Sequence, residues 1–413
     1  MRMREAGAVL RHRAFRYQFA GFAISVTGSM VAPVALTLGL LQVTGDAAVA
    51  GIALTASTVP LAVLLLFGGV LADRMRRDRV MVAADALRGL TQLGVGAMML
   101  SGEINLAVLI VLQVVYGTAQ AFHLPAASGL TSSTVPKADL QQANALLSGV
   151  RSLSGVLGPL IAGTLTATVG GGWGVVFDGV SFLLSSWLVS RIRLDQPSRP
   201  GPGSGVLRDL ADGFKVVRGT PWIWTSIVGF ATTHVALAAF LVAGPLIVAD
   251  GGAVDALGWA ALIAAMSVGE LVGDVIALRL KPARPLVAAR CAELLFVPAL
   301  LAVALGWPGL VQVAAVAVAG VGMALADTLW YTALQQRVPD ESLSKVSSYD
   351  WFGSVVLRPA GYAVGAAFAG AGILIAGAVL VLLTRILSLS FTSVRAMSAL
   401  PPEPVEQAEL ENA

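Results

Sequence analysis

Charge is scarce in this 413-residue chain: 12% of its residues are Asp, Glu, Lys or Arg, while 56% are apolar. A soluble globule of that composition could not cover itself with polar surface, so the soluble classes are excluded. Cysteine is almost missing. The one thiol, Cys291, allows neither an internal disulfide nor a cysteine metal cluster. With three histidines and no Gly-x-x-x-x-Gly-Lys-Ser/Thr loop, the chain carries no ATP signature, no metal-ligand cluster and no nucleophile with an evident base. Neither an enzyme, a metal site nor a cofactor is expected. The net charge of +3 is not gathered on one basic face, which removes nucleic acid as a partner.

The most informative absence is one of position. The chain reads as twelve apolar stretches, each near the ~20 residues that a membrane-crossing helix needs. They are 15–43, 48–71, 80–101, 106–132, 141–168 and 173–191, then 221–249, 257–279, 285–305, 309–335, 343–369 and 371–391. None of the 27 Lys and Arg falls in alternate connections: around Asp46, Glu103, residues 170–172, residues 250–255, Trp307 and Gly370. The cations collect in the N-terminus, the intervening connections and the tail, apart from a few on the helices. Lys and Arg are retained on the cytoplasmic side of a membrane. The pattern therefore predicts an all-α membrane protein of twelve transmembrane helices in the plasma membrane, with both termini cytoplasmic. The basic segment from Met1 to Tyr17 has no A-x-A-like cleavage site and reads as the lead into a retained first helix.

Most connections are short, but residues 192–220 form a long one whose Pro- and Gly-rich part, 196–205, reads as a flexible linker. Its second part, Val206 to Arg218, could form an amphipathic helix on the membrane surface. This divides the chain into a six-helix bundle (1–191), a cytoplasmic linker (192–220), a second six-helix bundle (221–391) and an acidic tail (392–413) expected to be disordered. The halves look related. Gly117 to Pro136 overlays Gly320 to Pro339 without a gap, and Val156-Leu157-Gly158-Pro159 answers Val356-Leu357-Arg358-Pro359 after a three-residue shift. A parallel repeat of this kind implies a pseudo-twofold axis along the membrane normal with a cavity between the halves.

Between the second and third stretches stands Gly69-Val70-Leu71-Ala72-Asp73-Arg74-Met75-Arg76-Arg77-Asp78-Arg79. It resembles the signature loop of the major facilitator superfamily, Gly-x-x-x-Asp-Arg-x-Gly-Arg-Arg/Lys, at Gly69, Asp73, Arg74, Arg77 and Arg79. Arg76 replaces the second glycine and Asp78 interrupts the basic run. Gly69 would allow close helix approach, and an anion at Asp73 can hold the positive N-terminal end of a neighbouring helix. The resemblance implies that this neighbour is the eleventh stretch, near residues 342–344, and that the contact latches the outward-open state. In the fifth stretch, Gly158-Pro159-Leu160-Ile161-Ala162-Gly163 resembles the Gly-Pro-x-x-Gly-Gly segment of the superfamily's antiporters, with Ala162 in place of the first paired glycine. Small residues permit tight packing in lipid, and Pro159 can bend the helix.

Short matches in order along the chain are similar to the drug- and siderophore-exporting branch of that superfamily, which includes macrolide efflux proteins and the enterobactin exporter. They are Phe15-Arg16, Ser25, Gly28, Asp85-Ala86-Leu87-Arg88, Pro125-Ala126, Ala143-Asn144-Ala145-Leu146, Asp178-Gly179-Val180-Ser181-Phe182 and Pro359-Ala360-Gly361-Tyr362. The Arg often found in the fourth stretch of the superfamily is absent around Gln113. The resemblance implies secondary active efflux of a hydrophobic or amphiphilic small molecule by proton antiport, working by alternating access without a cofactor and driven by the proton motive force. Protons, a small-molecule substrate and the lipid bilayer are the expected partners, and a monomer is expected. Proton-coupled import and a non-transporting sensor are the alternatives.

A charge at mid-bilayer costs ~2.5 kcal/mol or more, so each needs a partner, water or a task. Asp327 in the tenth stretch is a candidate for proton coupling, as are Glu270 and Asp274, which share one helix face at i,i+4 spacing. Gln113, Gln120, His123, His234, Trp330, Tyr331 and Arg358 are candidates for the substrate cavity. Asp85 with Arg88 reads as a structural ion pair, and Asp178 as a cap or an interface residue.

Overall fold

The computed structural model describes residues 8–193, 206–251, 256–368 and 370–398. Among the described residues all regular structure is helical. The first half runs α1 (Arg13–Thr44), α2 (Ala47–Arg74), α3 (Arg77–Ser101), α4 (Leu106–Thr134), α5 (Leu140–Thr168) and α6 (Gly171–Val189). After α7 (Val206–Gly219), the second runs α8 (Pro221–Gly251), α9 (Ala256–Ala277), α10 (Pro285–Glu293), α11 (Phe296–Ala304), α12 (Gly309–Arg337), α13 (Asp340–Val356), α14 (Arg358–Ala367), α15 (Ala371–Ser390) and α16 (Thr392–Arg395). Nine helical segments among the described residues are long and apolar enough to cross a membrane, α10 and α11 acting together as one. The other three expected stretches are helical as well: α3, α9, and the pair α13–α14.

Local chemistry sets where these helices stop. Gly45, Gly102, Gly170 and Gly306 carry positive φ values of 69°, 74°, 96° and 62°. All four lie at the connections without cations, where a left-handed residue reverses the chain. Two expected stretches are broken in the middle. Proline lacks an N–H and its ring clashes with the preceding turn, so the helix stops at residues 294–295 ahead of Pro298 and at Leu357 ahead of Pro359. Pro33, Pro60, Pro125 and Pro159 sit inside helices that run on.

The two halves use one packing plan. In the first, α1 packs on α5 and α6, α2 on α4, and α3 on α6. In the second, α8 packs on α14 and α15, α9 on α12, and α11 on α15. Glycines make the equivalent contacts: a Cβ on Gly117 would run into the Ser57 carbonyl of α2, and one on Gly320 into the Met266 carbonyl of α9. These two glycines are the paired positions of the sequence overlay. Bulky residues such as Leu90, Trp187 and Leu383 point outward and are more than half exposed, as a lipid-facing surface requires.

The halves meet at the end of the molecule that carries the basic connections. There α13 packs on α2 and α4, and α5 packs on α9 and α12, whereas α14 leans on α8. Hydrogen bonds cross the seam at that end. Asn144 Nδ2 donates to Gln335 Oε1 (2.7 Å) and Thr332 Oγ1 (3.2 Å), and Gln335 Nε2 donates to the Ser128 carbonyl (3.1 Å). Gln141 Nε2 donates to the carbonyls of Ala277 (2.8 Å) and Leu280, and Gln336 Nε2 to that of Lys137 (2.9 Å). The expected amphipathic helix is present as α7. It lies against α2, α8 and α13, with Tyr349 Oη donating to the Leu210 carbonyl (2.8 Å) and Phe214 beside the Tyr349 ring.

Candidate functional site

The signature loop sits on the seam. Gly69, on α2, lets α13 come close: any Cβ there would overlap Ser348 and the Ser344 carbonyl. Arg77 begins α3 and donates both to the Gly129 carbonyl of α4 (3.0 Å) and to the Asp340 carbonyl at the start of α13. It therefore ties three helices from two halves. Arg76 forks onto Asp78 at 2.8 and 3.2 Å, and the hydrogen bonds and charge of that carboxylate raise its guanidinium above the ordinary value. Arg74 is half-buried at the end of α2 and Arg79 is exposed. The expectation for Asp73 concerns a side chain outside those described. On α5, Gly158 packs against the Met30 backbone of α1, while Gly163 faces open space and Pro159 is exposed.

Further in lies a central cavity of about 110 Å³, with walls from both halves. The first half contributes Gln18, Phe22, His123, Asn144, Ser148, Arg151 and Ser185, and the second Asp327, Thr328, Tyr331, Gln335 and Trp351. On α12 the residues facing it are 327, 328, 331 and 335, an arc of about 100°. Asp327 and Arg151 line it without a hydrogen bond or ion pair among the described residues. Arg151 rests over the Phe22 ring at 5.7 Å, and Tyr331 stacks on Trp351 at 6.3 Å. The wall is thus aromatic and weakly polar, with one cation and one acid. Pockets for drug-sized ligands usually measure roughly 300–1,000 Å³, and this cavity is smaller.

The other expected residues fall elsewhere. Asp274 is buried at the seam, where Ser152 Oγ of α5 donates to its Oδ2 at 2.8 Å. Glu270, one turn away, faces Asp327, Asp274 and Arg151. Trp330 is in the core of the second half and not in the cavity: it points about 60° away from the cavity arc, packs on Trp222 and Phe230, and donates to Asp350 at 3.2 Å. Gln120 and Gln113 do not line the cavity either, being one and nearly three turns beyond His123 along α4, and Gln113 is buried. His234 and Arg358 face one another in the second half, outside the cavity lining, with His234 Nδ1 2.8 Å from the Phe230 carbonyl.

Two buried charge clusters complete the interior. In the first half, Asp85 meets Arg88 (3.2 Å), Ser185 (2.7 Å) and His123 (3.0 Å), while Gln92 donates to Asp178 at 2.8 Å. The expected Asp85–Arg88 pair is present, and Asp178 is a hydrogen-bonded core acid. In the second half, Glu293 Oε2 lies 2.8 Å from Arg290 Nη1 and 2.6 Å from Arg385 Nε. Sequence reading passed over this triad, although three charges inside apolar stretches were signal enough.

Two equivalent helical bundles around a central cavity, joined at the end that carries the basic connections, have the architecture of a membrane transporter. The Major Facilitator Superfamily model matches residues 19–356, and the chain belongs to that family. Over 256 residues it is 30% identical to the multidrug efflux pump Tap of Mycolicibacterium fortuitum, an overlap of 60% of this chain and 62% of Tap. Over 369 residues it is 29% identical to the enterobactin exporter EntS of Shigella flexneri, 87% of this chain and 85% of that protein. Its relatives thus include members of the drug- and siderophore-exporting branch. Among solved structures, a bacterial homologue of the iron transporter ferroportin in an outward-facing state superposes with a TM-score of 0.75 at 16% identity, covering 92% and 99% of the two chains. The Escherichia coli fucose:proton symporter gives 0.68 at 13%, covering 91% and 98%. At such identities these share the fold.

Proposed function

We propose that the protein exports a hydrophobic or amphiphilic small molecule, such as a drug, a macrolide-like natural product or a siderophore, in exchange for protons. The observation that carries this reading is Asp327, an acid without an ion pair on the wall of an aromatic central cavity, opposite Arg151. An acid so placed can hold a proton or face the substrate, but not both at once, which is what antiport requires. Glu270 and Asp274 stand behind it at the seam and are the reserve candidates. The efflux pump and siderophore exporter among the relatives support the outward direction.

The cation pattern supports a basic end, with both termini, on the cytoplasmic side of a bacterial cell membrane. The closed seam then makes this an outward-facing state. Its latch comprises Gly69, Asp73, Arg74, Arg77 and Arg79, and the segment Gly158, Pro159 and Gly163 bends as the halves exchange. The working divisions are 1–191, 192–220, 221–391 and 392–413. The protein acts as a monomer, with the proton motive force and no cofactor.

The test is internal pH in proteoliposomes of purified protein as macrolides, siderophores and lipophilic dyes are added singly. Proton movement triggered by a compound and lost in Asp327→Asn supports the reading. Movement that persists in that variant transfers coupling to Glu270 and Asp274. Compound entry with alkalinisation outside identifies an importer, and silence throughout leaves a sensor.

A further inference from the structure

We propose that the central cavity recognises amphoteric aromatic compounds, with Arg151 taking an acid group of the ligand and Asp327 its amine. This rests on the reading of the cavity as the substrate site, and adds the class of substrate. Several polar groups on the wall are already engaged: Gln18 donates to Thr131 and accepts from Thr134, Asn144 donates to Gln335, and Ser185 donates to Asp85. Arg151 on α5 and Asp327 on α12 are not. Both are half-buried, both line the cavity, and neither makes a hydrogen bond or ion pair among the described residues. They feel one another's charge without touching. Glu270 and Asp274 stand near Arg151, and Arg358 near Asp327, but none of these three lines the cavity. A ligand therefore meets one guanidinium from the first half and one carboxylate from the second.

Charge pairing selects the ligand. A buried charge whose partner is taken away is costly. A simple acid would neutralise Arg151 and leave Asp327 uncompensated, and a simple amine would do the reverse. A molecule carrying both groups pairs both, and adds no net charge to a low-dielectric site. The walls suit an aromatic body: Arg151 rests over the Phe22 ring at 5.7 Å, and Tyr331 stacks on Trp351 at 6.3 Å. Two further polar atoms stand ready there. Thr328 is 1% exposed and its Oγ1 has no partner among the described residues; neither has Trp351 Nε1. The indole nitrogen can only donate, so it suits an acceptor on the ligand. Because Arg151 and Asp327 belong to different halves, a ligand paired to both bridges them. An amine at Asp327 also excludes a proton from the same carboxylate, as the antiport reading requires.

The test is isothermal titration of the purified full chain in lipid nanodiscs with two matched sets of three compounds, one compact and one of drug size. The first set is para-(aminomethyl)benzoic acid, its methyl ester and its N-acetyl derivative. The second is ciprofloxacin, its ethyl ester and N-acetylciprofloxacin. In each set the parent is a zwitterion near neutral pH, the ester keeps only the amine charge, and the acetyl form keeps only the acid. In at least one set the parent should bind about tenfold or more tighter than both derivatives. Arg151→Gln should remove the preference over the ester alone, and Asp327→Asn the preference over the acetyl form alone. A merely structural role would weaken all three together. Should either variant fail to fold, the wild-type order within each set decides. Derivatives that bind as well as their parents in both sets, or six compounds without binding, overturn the proposal. A zwitterion that binds but moves no protons in proteoliposomes would instead remove the antiport reading and leave this recognition standing.

Discussion

Glu293 holds two arginines inside the second half, and all three side chains are at most 2% exposed. Removing one member of a buried ion group leaves the others uncompensated, at about 3–5 kcal/mol. Glu293→Gln should therefore lower the melting temperature of the detergent-purified protein far more than Glu103→Gln on an exposed connection. Ser152 is a gentler probe. Its hydroxyl donates to Asp274 Oδ2 across the seam, with Ser148 beside the same carboxylate. Ser152→Ala strands a buried carboxylate oxygen, a cost of about 1–3 kcal/mol that falls on the joined state alone. Flux assays on the compound found above should show faster opening of the basic end but weaker retention of the outward-facing state, read as altered exchange without loss of insertion.

At the scale of helices, close approach through glycine is the repeated device. Gly117 seats α4 against the α2 backbone and Gly320 seats α12 against that of α9. Either one changed to Val forces backbones apart, and overpacking of this sort costs about 1–3 kcal/mol. Thermal melts should show similar losses for Gly117→Val and Gly320→Val, whereas Gly163→Val, facing open space, should be nearly silent. The break before Pro359 separates α13, which carries the seam, from α14, which stays with α8. That division lets one end of the stretch move without dragging the other.

For the molecule as a whole, amides donate many of the hydrogen bonds that cross the seam among the described residues. Asn144, Gln141, Gln335 and Gln336 donate across it, as does the Arg77 guanidinium. Neutral hydrogen bonds are not weakened by salt screening, so the joined state should hold at high ionic strength. Spin labels at Lys137 and Leu280, in a Cys291→Ser background, should report one short distance with the seam amides intact. In Asn144→Ala with Gln335→Ala a longer population should appear, and an unchanged distance distribution would remove the amides from the closure.

Helix ends were legible in the chain itself: every expected stretch coincides with described helix to within three residues. Partition into lipid depends on a local sum of apolar side chains, and glycine turns act locally too. The cavity residues Asp327, Tyr331 and His123 could be named for the same reason, as polar or aromatic groups on stretches that a two-bundle plan turns inward. The breaks at 294–295 and 357 were missed because four other prolines sit in unbroken helix, so proline alone does not decide. Trp330 was placed one face wrong, and Asp85 was read with Arg88 but not with His123, 38 positions away. Such pairings depend on the rotation and depth at which each helix settles, which packing across the whole bundle sets. Composition and cation placement by themselves determined a polytopic helical membrane protein. Only the tertiary structure decided which end is closed and which acid meets which base, because those are distances between helices that the order of residues does not contain.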